Sequence, residues 1–382
     1  MWSGCNRDLL CLLAPQASAG IDRLENRASV PAANSASPSV AEVSPMPCAS
    51  KTLFLIAWRA TPNRSRSRRR WVWACLALLL LASGARAEAP NFDASGALPS
   101  AEHEPITPIP PPPAADLLKL ALGESLFADR RLSHDGSLAC TSCHDIHTNG
   151  ADNGRRTLAR DGSKLPVNIL SVFNATLSFR LNWEGNFRTL EAHIQSSLEN
   201  PANMATSVDE VVEKLNADPR MARKFTQAYG HRADRTSLVD AIATYERSLV
   251  TPGSRFDIWL GGDATALSAE EQNGYRLFKS LGCVSCHQGG NIGGNLFQRH
   301  GIFRQLASPN PEIVRVPSLR NVATTAPYFH DGSAPTLGEA VRKMGAAQLD
   351  QRLTDKQVEA IVAFLNTLTG TYRGAPVTAA PP

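Results

Sequence analysis

Two copies of one short pattern, CTSCH at residues 140–144 and CVSCH at residues 283–287, constrain this chain more than any other feature. In C-x-x-C-H the two thiols lie about a turn apart and form thioethers to one porphyrin, which puts the next imidazole under the iron. Cys140, Cys143 and His144 make the first set, and Cys283, Cys286 and His287 the second. The competing readings of a single copy are a Cys/His zinc site or a redox dithiol. The other four cysteines, Cys5, Cys11, Cys48 and Cys75, all precede residue 88, so none is spare downstream for a disulfide. Two complete copies with no spare cysteine point to two covalently bound haem c groups.

The segment holding those four cysteines reads as a leader. An arginine run (Arg64 to Arg70) precedes the apolar stretch WVWACLALLLLAS and then the small residues Ala85 to Ala87. Basic n-region, short h-region and small-residue cleavage site are the parts of a signal peptide, with cleavage expected near Ala87 and a periplasmic destination. The apolar stretch is short for a membrane span, so a retained anchor is the lesser alternative. The residues before the arginines are rich in Ala, Ser and Pro and fit a start codon assigned too far upstream. Of the 39 basic and 35 acidic side chains, 11 and 4 lie in residues 1–87, so the remainder holds 28 and 31, net −3. The basic pI of the whole chain therefore gives no reason to expect nucleic acid.

Residues 88–115 are Pro-rich and read as an extended arm over the surface. Two similar units follow, expected over 116–250 and 251–372, with a flexible tail over 373–382. Each opens with a helix that reaches its haem motif: ADLLKLALGESLF before Cys140, and LSAEEQNGYRLFKSLG, capped by Ser268 with Glu271, before Cys283. The shared pattern of a glycine three residues before Leu-Phe is a weak internal repeat. Each unit closes with a helix: SLVDAIATYERSL in the first, and TDKQVEAIVAFLNTLTG in the second, with Thr354 and Gln357 as capping box and Gly370 as stop. A hinge is expected where Pro and Gly interrupt the helices at 250–262. Strand-like runs are few, so the fold class is mainly α: two c-type cytochrome domains packed together, each with one haem c.

After residue 87 the chain has three methionines, Met204, Met221 and Met344. Met344 stands 57 residues after His287 and ahead of the closing helix, where a small cytochrome c domain supplies its thioether ligand. A His/Met iron has a raised potential and suits electron entry. The other reading of Met344 is a core methionine.

From about residue 115 to 370 the sequence resembles the bacterial di-haem cytochrome c peroxidases and the related MauG-type enzymes. The resemblance rests on LFADRRLS, ACTSCHD, NWEGNF, ENPANM, LVTPGSRFDIWLGGD, GYRLFKSLGCVSCHQG, VPSLRNVATTAPYFHDGSAPTL, AVRKMG and IVAFLNTLTG, in the family's order. It implies two-electron reduction of hydrogen peroxide to water at the first haem. The electrons come through the second, supplied by a small cytochrome c or cupredoxin. By the same resemblance, His144 is the proximal ligand of the peroxidatic haem, while His287 and Met344 hold the electron-transfer haem. Trp183 matches the tryptophan between the haems. Asn168, Thr325 and Pro327 match the ligands of one calcium ion, the last two through carbonyls. His330 matches a histidine near the second haem, and a homodimer is expected.

Two positions depart from the family. Its switchable distal histidine falls at Arg160 here, and its peroxide-handling glutamate at Asn203. Arginine is always protonated and asparagine does not titrate, so neither replacement does the original job. His147, three residues after a proximal ligand, is tied to the wrong side of the porphyrin and reads as a surface or propionate-side residue. Met204 matches a family residue packed beside the distal pocket. His193 matches a glutamine that lines that pocket and is the candidate distal acid/base, with a core or surface histidine as the alternative. Three functional readings follow: a peroxidase, a MauG-like oxidase acting on a partner protein, and a non-catalytic electron carrier or sensor. Met344 speaks against the second, because the tyrosine typical of MauG itself is absent there. Arg160 and Asn203 together speak for the third.

Overall fold

In the computed structural model the described residues are 104–152 and 159–380. The expected leader at 1–87, its cleavage site and the first part of the arm lie outside them. The described residues belong to one compact unit, Phe92–Pro382. Among them no helix is long and apolar enough to cross a membrane.

Helix starts follow the polar caps in the sequence. Asp116 accepts from Leu118 N and Lys119 N at the head of α1 (Leu117–Phe127), and Thr189 caps α2 (Leu190–Glu199). Ser207 caps α3 (Val208–Ala217). Asp218 with Pro219 opens α4 (Pro219–Tyr229), which closes on Gly230 in the left-handed region. A reciprocal Asp234–Ser237 box starts α5 (Arg235–Ser248). After the short α6 (Arg255–Leu260) comes α7 (Ala269–Ser280), with the Ser268–Glu271 box present as the sequence predicts. Strand is limited to β1 (Phe297–Arg299) against β2 (Ile313–Arg315), antiparallel with Gln298 opposite Val314. The chain then runs through α8 (Leu337–Gln348) and α9 (Asp355–Asn366), the latter opened by the Thr354–Gln357 box. It ends in a small hairpin of β3 (Thr371–Tyr372) and β4 (Ala375–Pro376).

The repeat noticed in the sequence has a packing cause. A Cβ on Gly123 of α1 would overlap the Ala241 carbonyl of α5, and one on Gly274 of α7 would overlap the Ala360 carbonyl of α9. Each glycine thus lets an opening helix and a closing helix cross backbone to backbone, twice in one chain. Around the first crossing lies a core with Leu126, Phe127, Phe225, Leu238, Ile242 and Tyr245. Around the second lies a core with Phe256, Tyr275, Phe278, Ile361 and Phe364.

Three segments differ from expectation. The hinge region is a buried polar knot: Thr251 Oγ1 accepts from Asn174 Nδ2 at 2.8 Å and from Asn321 Nδ2 at 2.9 Å. Asn321 Oδ1 in turn accepts from Gly370 N at 3.0 Å. Buried amides with every bond made hold a junction rigid rather than loose. Gly370 is also not the stop of α9, which ends at Asn366; a Cβ there would overlap the Thr251 carbonyl, so it serves this close approach. The arm, expected over the surface, sinks Ile106 into the second core, and its Pro105 carbonyl accepts from Gly289 N at 2.8 Å. The tail, expected to be flexible, buries Val377 in the first core, just after Tyr372, whose ring rests 5.0 Å from that of Phe173. The first and last described segments are thereby exchanged between the two cores.

Candidate active site

Both C-x-x-C-H motifs form a single 3-10 turn, Cys140–Ser142 and Cys283–Ser285, rather than a longer helix. The turn delivers each histidine with one nitrogen already engaged. His144 Nδ1 donates to the Gly150 carbonyl at 3.1 Å, and His287 Nδ1 to the Ile292 carbonyl at 3.2 Å. A carbonyl on Nδ1 fixes the tautomer that leaves Nε2 with its lone pair, the arrangement iron-ligating histidines use. Burial keeps both rings neutral, lowering the pKa of His144 and pushing that of His287 down to about 4. The thiols move the other way: burial raises those of Cys140 and Cys143, and takes Cys283 to about 11. A redox dithiol or a thiolate metal site needs lowered thiol pKa values, so these environments suit thioethers instead.

On α2, His193 stands edge-on to Phe187, ring centres 5.2 Å apart. Its pKa is pushed down to about 4, first by burial and then by His144, so the two imidazoles are electrostatic neighbours that do not carry charge together. Arg160 is not brought there. Its guanidinium is at the surface on Asp135, 3.1 Å away, while its backbone N donates to the Ala202 carbonyl. Asn203 lies in the turn after α2 with its backbone N on the Asn200 carbonyl. Met204 is buried in the first core. His147 is exposed, with Glu124 as its electrostatic neighbour. Met344 is half-buried on α8.

Trp183 is buried and donates its Nε1–H to the Asn168 carbonyl at 2.8 Å. Asn168 gathers several groups: its backbone N donates to the His330 carbonyl at 2.6 Å, and its side-chain amide to the Pro327 carbonyl at 2.6 Å. Asn168 and Pro327 are therefore together, with Thr325 two residues before Pro327. The His330 ring is 6.1 Å from that of Trp183 and 4.6 Å from that of His300.

Arg315 tests whether this site fits a haem. It is 6 % exposed, donates Nε to the Asn182 carbonyl at 3.1 Å and Nη1 to Ser178 Oγ at 3.3 Å, and has no carboxylate partner among the described residues. Its backbone N holds the Trp183 carbonyl at 2.7 Å, and burial alone lowers its pKa to about 10. Arg320, by contrast, is just as buried but sits 2.7 Å from Asp257. A buried cation without a counter-ion is costly, and a haem propionate would supply the missing charge. The residues present fit the group. Arg315 was not singled out from the sequence, although an arginine between Val314 and Val316 was a visible signal.

Comparison with known proteins agrees with this geometry. Residues 118–265 match the family described as di-haem cytochrome c peroxidase, and residues 271–369 match cytochrome c. The chain is 39 % identical over 290 residues to the cytochrome c551 peroxidase of Nitrosomonas europaea, covering 71 % of this chain and 85 % of that protein. It is 36 % identical over 311 residues to the cytochrome c peroxidase Ccp of Escherichia coli, covering 77 % and 67 %. Among solved structures, a MauG-like protein associated with microbial copper homeostasis superimposes with a TM-score of 0.61 at 28 % identity, over 74 % of this chain and 96 % of that one.

Proposed function

We propose a division of labour between two haem c sites in this chain, which belongs to the di-haem cytochrome c peroxidase family and reduces hydrogen peroxide to water. The oxidase alternative is weaker, since peroxidases match more closely than methylamine-utilisation proteins do. Cys140, Cys143 and His144 hold the peroxidatic haem; Cys283, Cys286, His287 and Met344 hold the electron-transfer haem. A haem c held there would supply a redox-active iron for peroxide and for single electrons.

The protein's own groups do the rest. The Gly150 carbonyl holds His144 in one tautomer. His193, neutral at ordinary pH, takes a proton from one peroxide oxygen and returns it to the other as the O–O bond breaks. The whole reaction consumes one peroxide, two electrons and two protons and yields two waters. Trp183, buried between Asn168 and Arg315, lies on the route between the haems. A calcium ion, a hard cation, would be held by the Thr325 and Pro327 carbonyls and by the Asn168 amide oxygen, turned to replace the Nδ2 contact with Pro327. The electron donor is a small cytochrome c or cupredoxin, the working form is a homodimer, and the place of action is the periplasm.

The observation that carries this reading is His193, edge-on to Phe187 and within the electrostatic reach of His144. A positioned general base contributes about 10²- to 10⁴-fold in rate. His193→Ala should therefore lower kcat/KM for peroxide by that range in a steady-state assay with a reduced cytochrome donor. Unchanged turnover in the variant would contradict the assignment of His193.

A further inference from the structure

The two histidine loops close in the same way, but on different residues. At the first site the Gly150 carbonyl accepts from His144 Nδ1 and from Val172 N, the latter at 2.9 Å. At the second the Ile292 carbonyl accepts from His287 Nδ1 and from Leu319 N, both at 3.2 Å. Both carbonyls belong to residues in the left-handed backbone region, Gly150 at φ 72° and Ile292 at φ 47°. Glycine adopts that conformation freely, whereas a β-branched side chain is crowded there. Ile292 is fully buried in the second core, which fixes its side chain and leaves the backbone to carry the strain. Such strain persists only where the surroundings over-determine it, and it gathers at functional sites.

Much of what over-determines Ile292 comes from the arm, which precedes both family matches. Gly289 N, two residues past His287, donates to the Pro105 carbonyl at 2.8 Å. Arg320 donates Nε to the Gly290 carbonyl and Nη2 to the Thr107 carbonyl, each at 2.8 Å, with Asp257 2.7 Å from its Nη1. Asn291 is tied on both sides, its Oδ1 accepting from Ser318 Oγ at 2.7 Å and its Nδ2 donating to Ser178 Oγ at 3.0 Å. The arm is itself anchored. Glu104, its side chain 5 % exposed, accepts from the Tyr275 hydroxyl and, at 3.1 Å, from Lys279 Nζ, both on α7. Ile106 lies buried in the second core.

We propose that the arm is a latch on the second haem site: by holding Gly289 directly and Gly290 through Arg320, residues 104–107 keep Ile292 in its strained conformation and its carbonyl on His287 Nδ1. Pro105, Arg320 and Ile292 are positioning residues, acting on the iron only through His287. A ligating histidine whose second nitrogen is held in this way keeps one tautomer and one ring orientation. At the first site Gly150 takes the same shape without strain, so the latch belongs to the electron-transfer side alone.

The inference rests on His287 as a haem ligand, part of the reading above, and its test is independent of turnover. In the oxidised holoprotein, Glu104→Ala combined with Ile106→Ala loosens the arm without altering the loop. Exchange of the His287 Nδ1 proton with deuterium, followed by nuclear magnetic resonance, should then be about tenfold faster, with the His144 proton unchanged. The low-spin electron paramagnetic resonance signal of the second haem should broaden as the imidazole takes more than one orientation. Glu104→Gln, read the same way, decides the matter if the double variant does not load both haems. Ile292→Gly supplies a further check, because glycine keeps the left-handed backbone unaided: in that background the arm substitutions should change exchange less than in the parent. The proposal is overturned if His287 exchange is unmoved by the arm substitutions. It is also overturned if both histidine protons accelerate alike, as a general loss of stability would make them, or if the arm effect is undiminished in the Ile292→Gly background. Absent peroxide turnover alongside arm-dependent exchange would count against the peroxidase reading and leave the latch standing.

Discussion

Individual residues decide which iron reacts. His144 and His287 have the same local environment, each with Nδ1 on a carbonyl three or so ångströms away. What separates the sites is what stands opposite. Near the first stands His193, the proposed proton-exchanging group, and the position expected to carry a blocking ligand holds Arg160, turned to solvent on Asp135. An exposed ion pair of this kind contributes little. Arg160→Ala should therefore leave peroxide kinetics within about twofold of the parent, and the fully oxidised protein should turn over without a lag. A tenfold loss in stopped-flow peroxide reactivity would show that Arg160 acts at the iron. Residue identity made the attachment points legible in the sequence, because thioether chemistry demands fixed residues at fixed spacing. Arg315 was not legible as a site group. Nothing local to a charged residue states that folding will bury it without a counter-ion; that is a property of segments far apart in the chain.

Helices and turns carry those residues to their places, and here sequence and structure agree most closely. Caps at Asp116, Ser268 and Thr354 satisfy first-turn N–H groups where polar residues precede apolar periodicity. The glycine repeat was visible as a pattern, but its cause lies in two helix crossings that leave no room for a methyl group. Gly123→Ala and Gly274→Ala should each cost at least about 1–3 kcal/mol, the usual range for overpacking a core. Thermal unfolding of the holoprotein would measure it. If either variant melts with the parent, the crossing at that glycine is not as tight as described. Elements without periodicity differ from expectation: the hinge is a knot of amides around Thr251, the arm buries Ile106 and Ile109, and the tail buries Val377. One or two buried side chains in a short segment set no pattern that a sequence can display.

At the scale of the whole molecule, two small cores are joined so that the first and last described segments cross over. The arm closes on the second core and the tail on the first, where Arg373 of the tail is 2.8 Å from Glu124 of α1. Trp183 stands where the strand bearing Arg315 meets the segment bearing Asn168, a rigid junction suited to passing electrons between two fixed sites. The central proposal is an asymmetry: a first haem site that would leave its iron to peroxide beside His193, and a second that His287 and Met344 would close. Low-temperature electron paramagnetic resonance of the oxidised holoprotein, before and after one equivalent of peroxide, tests it most directly. The account predicts one high-spin signal that peroxide removes and one low-spin signal of His/Met character. Two low-spin signals, both unchanged by peroxide, would contradict it.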